Sequence, residues 1–279
     1  MNARPRILSR SILTALAVLI SLAFLVPVLW LLASTFRSAT ETFASSSPLT
    51  WHVLWPQDWT LDNLRSAVDS GFLTALGNSL VVAAVTVVVG LVVSSAAAFA
   101  LAVIPFRGRG VVFTIVVLSF LIPFEAIAIP LSRTFSDWGL ANTLLALILP
   151  GLVNGLAVFT LRQFFLGIPP SLSEAAHLDG ANWFRIYWSI VLPVARPALI
   201  TSAVFQFVWA WTDFLYPLIY LNDEESYTLS IGLYSFLGQH GVQWGPLMAA
   251  CVLFTLPAFL IFLVFQRYFI GGIATGALK

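Results

Sequence analysis

Six stretches of the chain are long and apolar enough to cross a bilayer, and the polar residues collect between them. A hydrocarbon core about 30 Å thick takes roughly 20 apolar residues in a helix. Residues 11–33, 75–103, 111–131, 141–161, 197–221 and 246–265 meet that length. The second stretch is uncharged and rich in Val and Ala, whereas Pro123 and Glu125 interrupt the third. The pattern predicts an all-α, polytopic protein with six transmembrane helices, forming a single transmembrane domain over 1–279 in contact with the lipid bilayer. Arg4, Arg6 and Arg10 precede the first stretch in the manner of a secretory signal. Its apolar run is longer than a signal core and no A-x-A-like site follows, so it reads as a retained helix.

The segments between spans differ in kind. The largest outer one, 37–74, holds Trp51, Trp55 and Trp59, with Pro48 and Pro56 as breakers and a serine-rich loop at Ser45, Ser46 and Ser47. Leu61, Leu64 and Val68 share one helical face. This predicts a short helix in the membrane interface, with the tryptophans at headgroup depth.

The segment 162–196 carries far more local signals than a short polar connection. Pro169 and Pro170 are expected to stop the fourth span. Ser171 and Glu174 have capping-box spacing, a helix follows through His177 to Asp179, and Gly180 suits the left-handed position beyond it. A second helix opens near Asn182, carries Trp183, Phe184, Ile186, Tyr187 and Ile190, and is expected to end before Pro193, with Pro197 in the first turn of the fifth span. Two short helices with large apolar side chains either lie on the membrane surface or dock on a partner.

Composition sharpens the picture. The chain is 59% hydrophobic and 9% charged, with a mean hydropathy of +0.95, against about 25% charged for a soluble domain. A net charge of +1 leaves no basic surface for nucleic acid. Of the 13 cations only Lys279 is a lysine. A phosphate-binding loop needs a lysine followed by Ser or Thr, so this chain has none; ATP chemistry through such a loop would belong to another subunit. Cys251 alone excludes disulfides and cysteine-based metal clusters. His52, His177 and His240 lack metal-ligand spacing, so no metal site is expected, and no serine–histidine–carboxylate cluster suggests catalysis. With the N-terminus inside, Arg4, Arg6, Arg10, Arg107, Arg109, Arg162, Arg185, Arg196, Arg267 and Lys279 are cytoplasmic, whereas Arg37, Arg65 and Arg133 are outside. That bias places both termini in the cytoplasm.

The run Glu174-Ala175-Ala176, three residues, Gly180, nine residues, Ile190, one residue, Leu192-Pro193 resembles the EAA motif of the membrane subunits of bacterial ABC importers. Asp179-Gly180-Ala181 and Arg196-Pro197 narrow the resemblance to the carbohydrate branch. It extends along nearly the whole chain: Asn78-Ser79-Leu80, Phe106-Arg107-Gly108-Arg109, Ile122-Pro123, Ile129-Pro130, Gly139-Leu140, Asn142-Thr143 and the tail from Gln266-Arg267-Tyr268-Phe269 to Gly276-Ala277-Leu278-Lys279. The chain is similar to MalG-like permease subunits, departing from them at Thr212, where Trp211-Thr212-Asp213-Phe214 stands for the usual Trp-Asn-Asp-Phe.

The resemblance implies a type I ABC importer permease in the bacterial cytoplasmic (inner) membrane, importing a sugar or sugar-like solute. It implies a heterodimer with a second homologous permease, two ATPase subunits that hold ATP-Mg, and an extracytoplasmic solute-binding protein. This chain itself would hold no cofactor and hydrolyse nothing. Glu174, Ala175, Ala176, His177, Asp179 and Gly180 would couple it to an ATPase. The alternative within the same transporter class is an amino sugar, a glycerophosphate ester or a short peptide as cargo. Intramembrane carboxylates usually face a cavity or a partner, so Glu125 and Asp213 are candidates either for lining a pathway or for interhelix contacts. Trp209 and Trp211 lie about 200° apart on a helix, so at most one can face a solute; Trp211 is the candidate taken with Asp213. The acidic run Asp223-Glu224-Glu225 is either a solvated turn or a contact for the binding protein. A proton-coupled secondary transporter using Glu125 and Asp213 is the rival reading; it requires internal inverted repeats, and none is evident.

Overall fold

A computed structural model describes residues 4–44, 51–238 and 241–276. Ser45, Ser46, Ser47, Pro48, His240 and the terminal Ala277-Leu278-Lys279 lie outside the described residues. The chain forms two compact units, one of Met1–Phe72 with Leu233–Leu256, the other of Leu73–Gly232 with Pro257–Lys279.

In the first unit, α1 (Arg4–Thr35) carries an apolar span from Ser11 onward and exposes large residues such as Leu19 and Phe24, as a lipid-facing helix must. After it come α2 (Ala39–Ala44) and α3 (Asp62–Ala67). The unit is tied by one buried amide. Asn63 Nδ2 donates to the carbonyls of Ser34, Thr35 and Arg37 at 3.4, 3.1 and 2.7 Å. A Cβ on Gly245 would collide with the same amide group, so only glycine admits it there. Buried Arg37 donates to the carbonyls of Ala33 and Val53. Desolvation pushes its guanidinium below the usual arginine range, opposed by Glu41. A short helix is present at the expected place, but Asn63 and Ala67 are its buried residues, and Leu61 and Val68 point outward. Trp55 and Trp59 pack edge to face at 5.4 Å and are exposed. Beyond α14 (Leu229–Ser235), a two-residue antiparallel pair, β1 (Leu237–Gly238) with β2 (Gly241–Val242), precedes α15 (Trp244–Gly276).

The second unit is built on α4 (Leu73–Ala102), which α3 reaches through a kink at Gly71, φ +81°. Small residues make α4 a packing axis: Ala83, Gly90, Ser94, Ser95 and Ala98 are buried. Against it lie α7 (Leu144–Gly151), α8 (Gly155–Leu166) and α12 (Arg196–Thr212). Two apolar clusters form near its ends. One joins Val82 to Ala128, Phe135, Leu147, Tyr216 and Tyr220. The other joins Ala98 and Phe99 to Leu161, Phe165, Ile186, Tyr187 and Val191. From Val82 to Ala98 is roughly 24 Å along the helix axis.

Several sequence expectations need correction. Four helices are long and apolar enough to span a membrane, or up to six when each bent pair counts as one span. The third span is not one helix. It is α5 (Arg109–Phe120) and α6 (Phe124–Asp137), bent by 92° where Pro123, which has no N–H, starts the new direction. The fourth breaks at Leu152–Asn154, with Asn154 capping α8 through the Ala157 amide. It also begins later than expected, because Asn142 adopts φ +58°, and it ends at Leu166, before Pro169 is reached. The fifth ends its main helix at Thr212, and α13 (Leu215–Tyr220) follows. The sixth runs on as helix through Gly271 and Gly272.

If the Asn63 amide fastens the first unit, Asn63→Leu should cost about 1–3 kcal/mol through carbonyls left without a donor. It would be read as a lowered thermal midpoint of the detergent-solubilised protein; an unchanged midpoint would show that these bonds contribute nothing.

Candidate functional site

Two regions of the second unit concentrate polar or exposed functional residues. The first is the protruding segment after α8. Here α9 (Pro170–Leu178) starts with proline at its first position. Proline needs no partner for a missing N–H, so it opens the helix two residues earlier than the capping box requires. Ser171 therefore lies inside the helix, and no side-chain cap forms at the Pro169 N-cap. The C-terminal end follows expectation. Gly180 has φ +79°, its amide donates to the His177 carbonyl at 3.0 Å, and the Ala181 amide donates to the Ala176 carbonyl at 2.9 Å. Those two bonds are the Schellman motif.

Asn182 then caps α10 (Trp183–Ile186) by accepting from the Arg185 amide at 2.9 Å. The helix does not stop before Pro193. A π-helical turn, Tyr187–Val191, carries it into α11 (Leu192–Val194), and the wider turn leaves Pro193 near the start of a new segment that does not need its N–H. The segment Trp183–Val194 meets α12 at 81°.

This segment is anchored from beneath and bare above. Ile186, Tyr187 and Val191 are buried in the cluster with Phe99 and Leu161. Tyr187 Oη and Ser95 Oγ are 2.7 Å apart. Trp183 packs on Phe99 at 6.4 Å and on the His177 ring at 4.0 Å. Outward, Leu178 is 90% exposed, and Phe184 and Trp188 are exposed and stacked at 6.4 Å. Glu174, Ala175, His177, Asp179 and Gly180 are all exposed, while Ala176 packs against the core. Nearby, Arg162 donates through Nε to the Leu101 carbonyl at 3.2 Å and places its guanidinium 3.9 Å from the Phe113 ring centroid.

The second region is a cavity of about 310 Å³ walled by α4, α5, α6, α7, α12 and α13. Asp213 lines it. Its carboxylate accepts from the Tyr216 amide at 3.4 Å, and its carbonyl accepts from Ser230 Oγ at 2.6 Å. Trp211 does not face this space: it is 1% exposed and stacks on Phe207 at 5.3 Å. Trp209, on the other side of the helix, lines the cavity and packs on Phe124 at 5.4 Å. Glu125 is exposed outside the cavity, in the first turn of α6, where the helix dipole favours a carboxylate.

Sequence reasoning missed Thr86 and Gln206. Both line the cavity and are almost wholly buried, and among the described residues neither the Thr86 hydroxyl nor either amide atom of Gln206 has a hydrogen-bond partner. A glutamine inside an apolar span was the available signal. At the end of α4 away from the protruding segment, Asn78 donates to the carbonyls of Glu225 and Tyr227, and Asn142 accepts from the amides of Asn222 and Asp223. These asparagines hold the exposed acidic turn 223–225 in place. Among the described residues no cluster of His, Cys, Asp and Glu could hold a metal ion.

Residues 90–274 match the family described as binding-protein-dependent transport system inner membrane component. The arabinooligosaccharides transport system permease protein AraQ of Halalkalibacterium halodurans is 37% identical over 255 residues, covering 91% of this chain and 90% of its own. AraQ of Bacillus subtilis is 34% identical over 97% of this chain and 96% of its own. A bacterial ABC transporter involved in the import of alginate shares the fold, with a TM-score of 0.81 at 23% identity over 96% of this chain and 99% of that one.

The left-handed backbone at Gly180 gives a direct check on the protruding segment. Gly180→Val should cost about 1–2 kcal/mol and speed amide hydrogen exchange over 170–194, while Gly180→Asn, tolerant of that conformation, should stay close to the parent. Equal exchange in all three proteins would show that the turn does not hold the segment.

Proposed function

This chain belongs to the inner membrane component family of binding-protein-dependent transport systems, and on that premise we propose that it is the sugar-importing permease half of an ATP-driven transporter, moved by an ATPase through the segment 170–194. It is a multi-pass protein of the cytoplasmic membrane and an importer permease subunit. The sugar cargo rests on the relatives, whose names specify arabinooligosaccharides. The cation bias puts the termini and this segment in the cytoplasm.

The observation that carries the coupling role is a rigid, capped pair of short helices with an apolar upper surface. Leu178, Phe184 and Trp188 offer a partner surface that a free loop has no reason to expose. Glu174, Ala175, Ala176, His177, Asp179 and Gly180 form or shape its contact with the ATPase. The small alanines permit close approach, and Glu174 and Asp179 present charge. ATP-Mg is held and hydrolysed by two ATPase subunits. Closure of those subunits pushes on the segment, and the Tyr187–Ser95 and Trp183–Phe99 contacts pass the displacement to α4. The solute moves from an extracytoplasmic binding protein between this chain and a second, homologous permease. Asp213 and Trp209 stand on this subunit's share of the path, and Glu125 stands at the bend between α5 and α6. Alternating access is then a rigid-body shift of packed helices.

Purification of the tagged chain from its host in mild detergent, with every co-eluting protein identified, tests the assembly. A near-stoichiometric ATPase and a second polytopic permease are expected. A chain that elutes alone and transports in exchange for protons would overturn the reading in favour of the secondary transporter. Within the assembled complex, Gly180→Trp should leave membrane insertion intact and abolish assembly or ATP-driven uptake; normal uptake in that variant would remove the coupling role.

A further inference from the structure

A polar group sealed inside an apolar helix bundle is expensive unless something satisfies it. Gln206 is 3% exposed and Thr86 5%, and both line the cavity. The Gln206 amide oxygen and nitrogen and the Thr86 hydroxyl have no partner among the described residues. Gly90 explains how the amide fits: a Cβ there would lie 2.7 Å from Gln206 Oε1. The helix thus gives up a side chain at the point where the carboxamide stands.

We propose that this cavity is a solute subsite contained within this one subunit, shaped for a single neutral sugar ring, with the Gln206 carboxamide and the Thr86 hydroxyl reading adjacent hydroxyl groups. The inference rests on the sugar-importer reading and extends it by naming the ligand chemistry and the residues that recognise it. A carboxamide offers one acceptor and two donors side by side. Neighbouring sugar hydroxyls, each both donor and acceptor, satisfy that set where an apolar solute cannot. Trp209 supplies an aromatic wall for the C–H face of the ring. The volume, about 310 Å³, lies at the small end of the roughly 300–1,000 Å³ typical of small-molecule sites. An oligosaccharide therefore places one unit here and keeps the rest in the path outside.

Charge excludes the anionic cargoes. No Arg, Lys or His lines the cavity among the described residues, and Asp213 does. A uronate or a glycerophosphate would meet a carboxylate with no cation to offset it.

The test uses the complete transporter, with its ATPase and second permease, in proteoliposomes. The Ser119→Cys substitution, in a Cys251→Ala background, puts a thiol in the cavity wall, and its labelling by a methanethiosulfonate reagent is followed. Glucose, arabinose, glucuronate and glycerol phosphate are the probes. The two neutral sugars should slow labelling, and the two anions should not. Gln206→Met should raise the sugar concentration giving half-protection about tenfold, as loss of a single buried hydrogen bond would. Gly90→Ala, which displaces the amide without altering it, should do the same even if Gln206→Met fails to assemble. Absence of protection in the parent, equal protection in the variants, or protection by glucuronate as strong as by glucose would overturn the subsite. A parent complex that imports no sugar at all would overturn the importer reading instead, so the two failures are distinguishable.

Discussion

Inside a bilayer, helices gain no hydrophobic benefit from meeting each other, because lipid tails are as apolar as leucine; close backbone packing has to do the job. That constraint organises the second unit. Gly90 and Gly151 bring α4 and α7 so near that a Cβ on Gly151 would stand 2.6 Å from Thr86 Cγ2. Gly155 does the same for α8 and α5, where a Cβ would meet Phe120 at 2.8 Å. Remove those small residues and α4 can no longer serve as the axis on which α7, α8 and α12 are hung.

The same axis connects the two functional regions. Its middle carries Thr86 and the Gly90 notch at the cavity, and its end carries Ser95 and Phe99 beneath the protruding segment. Between them the hydroxyls of Ser94 on α4 and Ser202 on α12 are buried without partners among the described residues. A helix whose polar atoms are incompletely paired is easier to shift against its neighbour than one locked by bonds, and this is the interface that has to move if a push at one end is to be felt at the other.

What the sequence disclosed followed from how local each signal was. Gly180 and Asn182 announce their turns because left-handed φ and N-cap chemistry depend on a few adjacent atoms. The EAA spacing disclosed the family for the same reason. Hydropathy found the spans but not their breaks, since Leu121, Ile122 and Leu152 are as apolar in a bend as in a helix; Pro123 signalled an interruption in the third span but not its 92° size. The Ser171–Glu174 capping box failed because Pro170 competes for the same helix start. The choice between Trp209 and Trp211, and the role of Gln206, depend on which side of α12 meets α4. That is a tertiary fact that two residues of spacing cannot reveal.

The 92° bend between α5 and α6 fixes what can surround it. At the bend the Leu121 and Ile122 amides still donate to the Leu118 and Ser119 carbonyls at 3.1 and 3.3 Å, but a helix end leaves carbonyl groups without an intrahelical partner. Lipid cannot hydrate them. Backbone of this kind is tolerated at membrane depth where it is buried in protein or lines a water-filled cavity, and Phe120 and Phe124, on either side of the bend, do line the cavity.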